Sequence, residues 1–396
     1  MKHNLSAYIL TLALACPTAI SGQNAQFEST VSEILANNTT LAARRANIDA
    51  DILGLKAENN LADPEIEFEH QWGQPGVGNK WSVSVVQSFD WPGVYRSRSK
   101  ATEAESQAER LLYLAEESDM RLRVSQTLTD YIAAYMQLSL CQNISENISA
   151  IAEKIETAFN HGESTILDYR KICFEKIEAA TAADAAASLV LSLHQELISL
   201  NGGKNINLDK LTAFPEFDLK TSDYYIRSQM ASDPAVLAGD YLSEAAVQNV
   251  KVASRSNLPG LSVGYIHNVE IGDHFNGIKV GLTLPFFANR HRKDEAKARL
   301  RATQNELFDT AIKVTQRVLS DYNKAALLDA RAEQYTALFP DNGDDYLRLL
   351  QKSFEGGQMS LIIYLYEVNY YTTARAAYIN LLHDRTLTLL SLSRFD

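Results

Sequence analysis

The 396-residue chain has little of what most chemistry-bearing sequences carry. Its three cysteines, Cys16, Cys141 and Cys173, are too few and too far apart for a disulfide framework or a paired zinc site. Lys and Arg number 37 against 49 Asp and Glu, a net charge of −12 with no basic block, which argues against a nucleic-acid partner. There is no G-x-x-x-x-G-K-[ST] phosphate loop, no H-E-x-x-H and no G-x-S-x-G, so no nucleophile, base or metal set marks an enzyme and no cofactor is implied. The eight His include no i, i+4 pair, and the five Met form no soft-ligand cluster, so no metal ligands are assigned. Past residue 22 no stretch approaches the roughly 18 apolar residues that a membrane helix needs.

What is present begins with an export signal. Lys2 and His3 precede an apolar run over Ile9 to Ala15, broken only by Thr11, and small residues follow at Ala19, Ser21 and Gly22. Cleavage is expected near Gly22/Gln23, so 1–22 reads as a signal peptide. Lipidation at Cys16 is the alternative, but Ala13 three positions earlier and Pro17 after it suit ordinary cleavage better.

The chain also matches itself. At a constant offset of 195, Pro64 meets Pro259, Phe159 meets Phe354, Gly162 meets Gly357 and Tyr169 meets Tyr364. The apolar pattern follows at Ile66/Leu261, Phe68/Val263, Val83/Ile278 and Val85/Val280. The expected organisation is a first repeat over 23–202, a linker over 203–221 and a second repeat over 222–396. Each repeat opens with a helical stretch, about 25–60 and 222–254. Two alternating segments follow, 65–72 and 81–89 in the first repeat and 261–265 and 278–284 in the second. Gly73 to Gly78 and Asn276-Gly277 are the expected turns.

Then comes a scarcity of another kind. Val94 to His161 contains neither Gly nor Pro, and a helix of that length would reach about 100 Å. Gly162 breaks it and a second helical run follows to Asn201. The second repeat does likewise around Gly357, with Pro340 and Gly343 interrupting its first helix. The fold class is therefore mainly α with a small β part, built on two long antiparallel coiled-coil hairpins. Four half-polar strands cannot close alone, because small single-chain membrane barrels need eight. Three chains would supply twelve strands for a barrel and twelve helices for a tube beneath it.

On these residues the sequence resembles the TolC family of outer-membrane efflux ducts. Asp63-Pro64-Glu65-Ile66 is similar to the family's lead into its first strand. Gln87-Ser88-Phe89-Asp90-Trp91-Pro92-Gly93 and Leu282-Thr283-Leu284-Pro285-Phe286-Phe287 resemble its strand-to-helix junctions, most of all in the heavy-metal-efflux (CusC/CzcC-like) branch. Phe159 to Tyr169 and Phe354 to Leu361 resemble the bends at its periplasmic tip. The resemblance implies a homotrimeric, non-enzymatic duct in the outer membrane, partnered by a periplasmic adaptor and an inner-membrane transporter. The reading from another class is a soluble periplasmic coiled-coil scaffold or the adaptor itself.

The resemblance also marks candidate positions. Gly162, Ser164, Thr165, Gly357, Met359 and Ser360 would form the tip where an adaptor docks, or a bend and nothing more. Asp168, Tyr169, Tyr364, Tyr366 and Glu367 would close the duct, with the Tyr364 or Tyr366 hydroxyl donating to Asp168. Asp168 on a solvated helix face is the plainer alternative. Glu65, Glu67 and Glu69 share a strand face that would line the lumen, and nine carboxylates in a trimer would favour cations or merely be solvated. Phe68, Val83, Val85, Val263, Val280 and Leu282 are expected on the opposite, lipid-facing side.

Overall fold

Alternation and long breaker-free runs set the elements of the computed structural model, which describes residues 22–285, 287, 289–337 and 344–395. The expected signal peptide and Cys16 fall in 1–21, outside the described residues, as do Pro340 and Gly343. The expected first helix is two, α1 (Gly22–Asn37) and α2 (Thr39–Ala57), because Asn38 caps α2 by accepting from the Leu41 amide. Strands β1 (Glu65–Gln71) and β2 (Lys80–Phe89) lead into α3 (Pro92–Asn160), a single helix of 69 residues. Helix α4 (Ile166–Leu200) returns along it. The next expected helix is also split, into α5 (Ser222–Ser232) and α6 (Pro234–Arg255), where Asp233 caps and Pro234 removes a backbone donor. Strands β3 (Gly260–Glu270) and β4 (Asp273–Thr283) follow, then α7 (Arg292–Thr336), α8 (Asp344–Glu355) and α9 (Leu361–Leu392).

The four strands form one antiparallel sheet in the order β1-β2-β3-β4. The second hairpin turns at Ile271 and Gly272, with φ of 53° and 92°, and not at Asn276-Gly277, which lie inside β4. The reason is length matching. Strand β3 pairs with β2 over ten residues as far as Glu270 opposite Lys80, whose ammonium meets the Glu270 carboxylate at 3.3 Å, so the reversal can come only after Glu270. Both central residues then need positive φ, as a tight hairpin demands.

Helix α3 carries the assembly. Val94, Ser97, Ala101, Ala104 and Ala108 are buried at alternating steps of three and four, a heptad seam of small side chains. Antiparallel to this end runs α6: Arg255 donates to the Gly93 carbonyl at 2.9 Å, and Asn249 donates to Glu105 at 2.9 Å. Farther along, Leu128 and Ile132 of α3 join Val31 and Ile34 of α1 and Leu197 of α4 in a middle core. Toward the far end Ile144, Ile148 and Ile151 of α3 pack with Ile172 of α4, Leu347 and Leu350 of α8 and Tyr364 and Val368 of α9. Among the described residues no helix is long and apolar enough to cross a membrane.

Candidate functional site

The sheet has two unlike faces, because directly paired residues in an antiparallel ladder share a side. One face carries Ile66, Phe68, Val83, Val85, Leu261, Val263, Ile278, Val280 and Leu282. Apart from the half-buried Val83, these side chains are open to the surroundings, with Phe68 68% and Ile278 80% exposed, although nothing in their chemistry favours water. All six residues expected on the apolar side lie here.

The opposite face carries Glu65, Glu67 and Glu69 with Ser82, Ser84, Ser262, Gly264, Gly281 and Lys279. Glu67 accepts from Ser84 at 3.2 Å and from the Lys279 ammonium at 3.1 Å. Strands β1 and β4 are three spacings apart, about 14 Å on a flat sheet. A direct ion pair between them requires the sheet to curl with its polar face concave. One of the three candidate carboxylates is therefore neutralised within the chain, and Glu69 accepts from Gln71 at 2.6 Å. Charge pairing of this kind, across the curl of the sheet, is invisible in strand alternation.

At the far end of the helices the two bends have the same geometry. Gly162 sits at φ 75° and Gly357 at φ 68°. After α3 the Glu163 amide donates to the Ala158 carbonyl at 2.8 Å and the Gly162 amide to Phe159 at 3.0 Å. After α8 the Gln358 amide donates to Ser353 at 2.9 Å and the Gly357 amide to Phe354 at 3.0 Å. Both are Schellman closures, which need a left-handed residue at the position each glycine occupies. The following helices are capped alike: Thr165 Oγ1 accepts from the Asp168 amide at 3.1 Å, and Ser360 Oγ accepts from the Ile363 amide at 3.5 Å.

The expected closure residues are only partly brought together. The Thr165 hydroxyl donates to the Asp168 carboxylate at 2.7 Å, so Asp168 completes the cap of its own helix. Tyr169 stacks on Phe159 with centroids 4.9 Å apart. Tyr364 is fully buried; its hydroxyl donates to Asn147 of α3 and its ring packs on Phe354, so it is no donor for Asp168. Burial pushes its phenol up to about 12. Tyr366 is exposed, and Glu367 accepts from Tyr346 of α8 at 3.0 Å. Met359 is half-buried against the tip core, while Ser164, Thr165 and Ser360 line the bends.

The tips also show residues that the sequence did not mark. Leu167 is 75% exposed, and Ile362, its counterpart at the same offset of 195, is 61% exposed with Ile363 beside it. Their helical context hid them, since Leu and Ile two or three positions past a cap ordinarily face a core.

No family model matches the chain. It is 24% identical over 346 residues to the outer membrane efflux protein BepC of Brucella suis biovar 1 (strain 1330), spanning 81% of this chain and 73% of BepC. Its fold superposes on a membrane protein from Pseudomonas aeruginosa with a TM-score of 0.78 at 18% identity, over 96% of this chain and 97% of that one. It superposes on CusC, whose structures concern folding and transmembrane channel formation, with a TM-score of 0.69 at 17% identity, over 93% and 91% of the two chains. The chain is thus similar to an outer-membrane efflux protein in sequence and to membrane channels in fold. The likeness to CusC does not exceed that to the P. aeruginosa protein, so the heavy-metal branch is not singled out.

Proposed function

We propose that this chain is the outer-membrane exit duct of a tripartite efflux pump, a passive channel and not an enzyme. The observation that carries the reading is the two-faced sheet: an exposed apolar face backed by a concave polar one, continuous with the helix α3, about 100 Å long. Lipid accepts strands only when they close, and twelve strands from three chains would close with the apolar face outward. In this reading the two repeats keep the boundaries 23–202 and 222–396, and the leader over 1–22 exports the chain.

The helical hairpins then form a periplasmic tube whose tips meet an adaptor, which links the duct to an inner-membrane transporter. Leu167, Ile362 and Ile363 add an apolar contact to Ser164, Thr165 and Ser360 around Gly162 and Gly357. Asp168, Tyr366 and Glu367 remain the groups that can close the tip between chains. The cargo is a class of small molecules or metal ions, the latter if the strand junctions place the chain in the heavy-metal-efflux branch. Purified protein added to planar bilayers is expected to give stepwise conductance. Folded protein that inserts and yields no steps refutes the duct, and recovery of the protein in the soluble periplasmic fraction favours a scaffold or adaptor.

A further inference from the structure

Near the hairpin ends the apolar face of the sheet changes character. His267 of β3 and His274 of β4 lie on that face, on opposite sides of the Ile271-Gly272 turn and one diagonal step apart in the ladder. Their rings stand 5.5 Å apart at 27°, and His274 Nδ1 is 3.4 Å from His267 Nε2. We propose that His267 and His274 form an exposed two-histidine site for a borderline divalent transition-metal ion, Cu²⁺ or Zn²⁺, with water in the remaining positions.

Three features of the pair support this. The first is distance. Two metal–nitrogen bonds of about 2.0–2.1 Å at a tetrahedral angle separate their nitrogens by about 3.3–3.4 Å, so the observed spacing holds an ion without moving the strands. The second is the protonation pattern. Asn276 Oδ1 can only accept; it takes the Tyr265 hydroxyl at 2.5 Å and His267 Nδ1 at 2.8 Å. His267 therefore carries its proton on Nδ1 and presents a lone pair at Nε2, the orientation a carbonyl partner imposes on metal-binding imidazoles. The third is access, since His274 and Asn276 are exposed and His267 is half-buried.

Without metal, the His274 Nδ1–H is the donor to His267 Nε2. On binding, His274 moves that proton to its own Nε2, leaving both rings neutral with one lone pair each toward the ion. Imidazole suits copper, zinc and nickel, whereas hard ions such as Mg²⁺ prefer oxygen. Among the described residues no group of three or more His, Cys, Asp or Glu could hold a metal, so this site offers two protein ligands and an open, exchangeable sphere. In the duct reading the pair sits at the hairpin-end rim of the barrel, beside the Ile271-Gly272 turn, where water completes the sphere.

Trp81 supplies the readout, because its ring lies 5.6 Å from His267. The chain has three Trp, so Trp72→Phe with Trp91→Phe leaves Trp81 as the single reporter. Untagged full-length protein in detergent is titrated with CuCl₂. Quenching is expected to saturate at one ion per chain, to reverse with a chelator and to be blocked by excess Zn²⁺. His267→Gln and His274→Gln are each expected to weaken it by about tenfold or more, and Asn276→Ala by about tenfold, with helicity unchanged. Non-saturating quenching in the parent, or an unaltered curve in the folded His274→Gln variant, overturns the proposal.

Discussion

Removing the Tyr364 hydroxyl makes a pH-dependent prediction. The phenol is buried among α3, α8 and α9, donates to Asn147, and is held neutral by burial up to about 12. An exposed tyrosine in the unfolded chain ionises near 10. The folded state therefore binds the proton more tightly, and its stabilisation is complete below pH 10 and lost as pH rises from 10 to 12. Across pH 10 to 11.5 the loss is about 1.5 kcal/mol per chain, from a full span of about 2.7 kcal/mol. Tyr364→Phe removes this dependence together with one hydrogen bond worth about 1–2 kcal/mol. At pH 8 the variant is thus expected to unfold at lower temperature than the parent, and near pH 11.5 the two are expected to converge. Thermal unfolding in detergent, followed by helical circular dichroism across this range, measures the gap. The other tyrosines titrate in both proteins and cancel in the difference. A gap that stays constant from pH 8 to 11.5 refutes the burial argument.

Other perturbations test the tips and the sheet. Gly162→Ala is expected to destabilise the first hairpin by about 1–2 kcal/mol through left-handed strain alone, since a Cβ there meets nothing within 4 Å. Gly162→Asn is expected to cost less, and equal losses in chemical denaturation contradict the strain account. Thr165→Ala removes the α4 cap, worth about 1 kcal/mol, so exchange of the Asp168 amide is expected to rise about fivefold; unchanged exchange shows that the cap is not limiting. Lys279→Ala frees Glu67 on the concave face, and reversal potentials in a salt gradient are expected to move toward greater cation preference. An unmoved potential places that face away from the ion path.

Much of the architecture was legible because it rests on periodicity and punctuation. Alternation over Glu65 to Trp72 separated the charged face of β1 from its apolar one, and breaker-free runs ending at Gly162 and Gly357 located both bends. Interactions between segments were less legible. Asn276-Gly277 has the stronger turn chemistry, yet the ten-residue ladder between β2 and β3 moved the turn to Ile271-Gly272. Tyr364 sits at a helical position as compatible with a tube wall as with a core, and only packing with Phe354 and Asn147 decided it. The Glu67–Lys279 pair joins residues 212 apart through sheet curvature, and the His267–His274 approach depends on a turn that the sequence put elsewhere. Asp168 looked like a charge in search of an inter-chain donor, whereas the Thr165 cap three residues earlier already supplied one.

Four two-faced strands per chain are expected to become a membrane duct only when three chains close them. Light scattering of the detergent-extracted, correctly folded protein measures that directly. A single species with three times the mass of one chain is expected. A monodisperse single-chain species with full helicity contradicts it, because the apolar sheet face and the strand edges would then have no closed barrel to join.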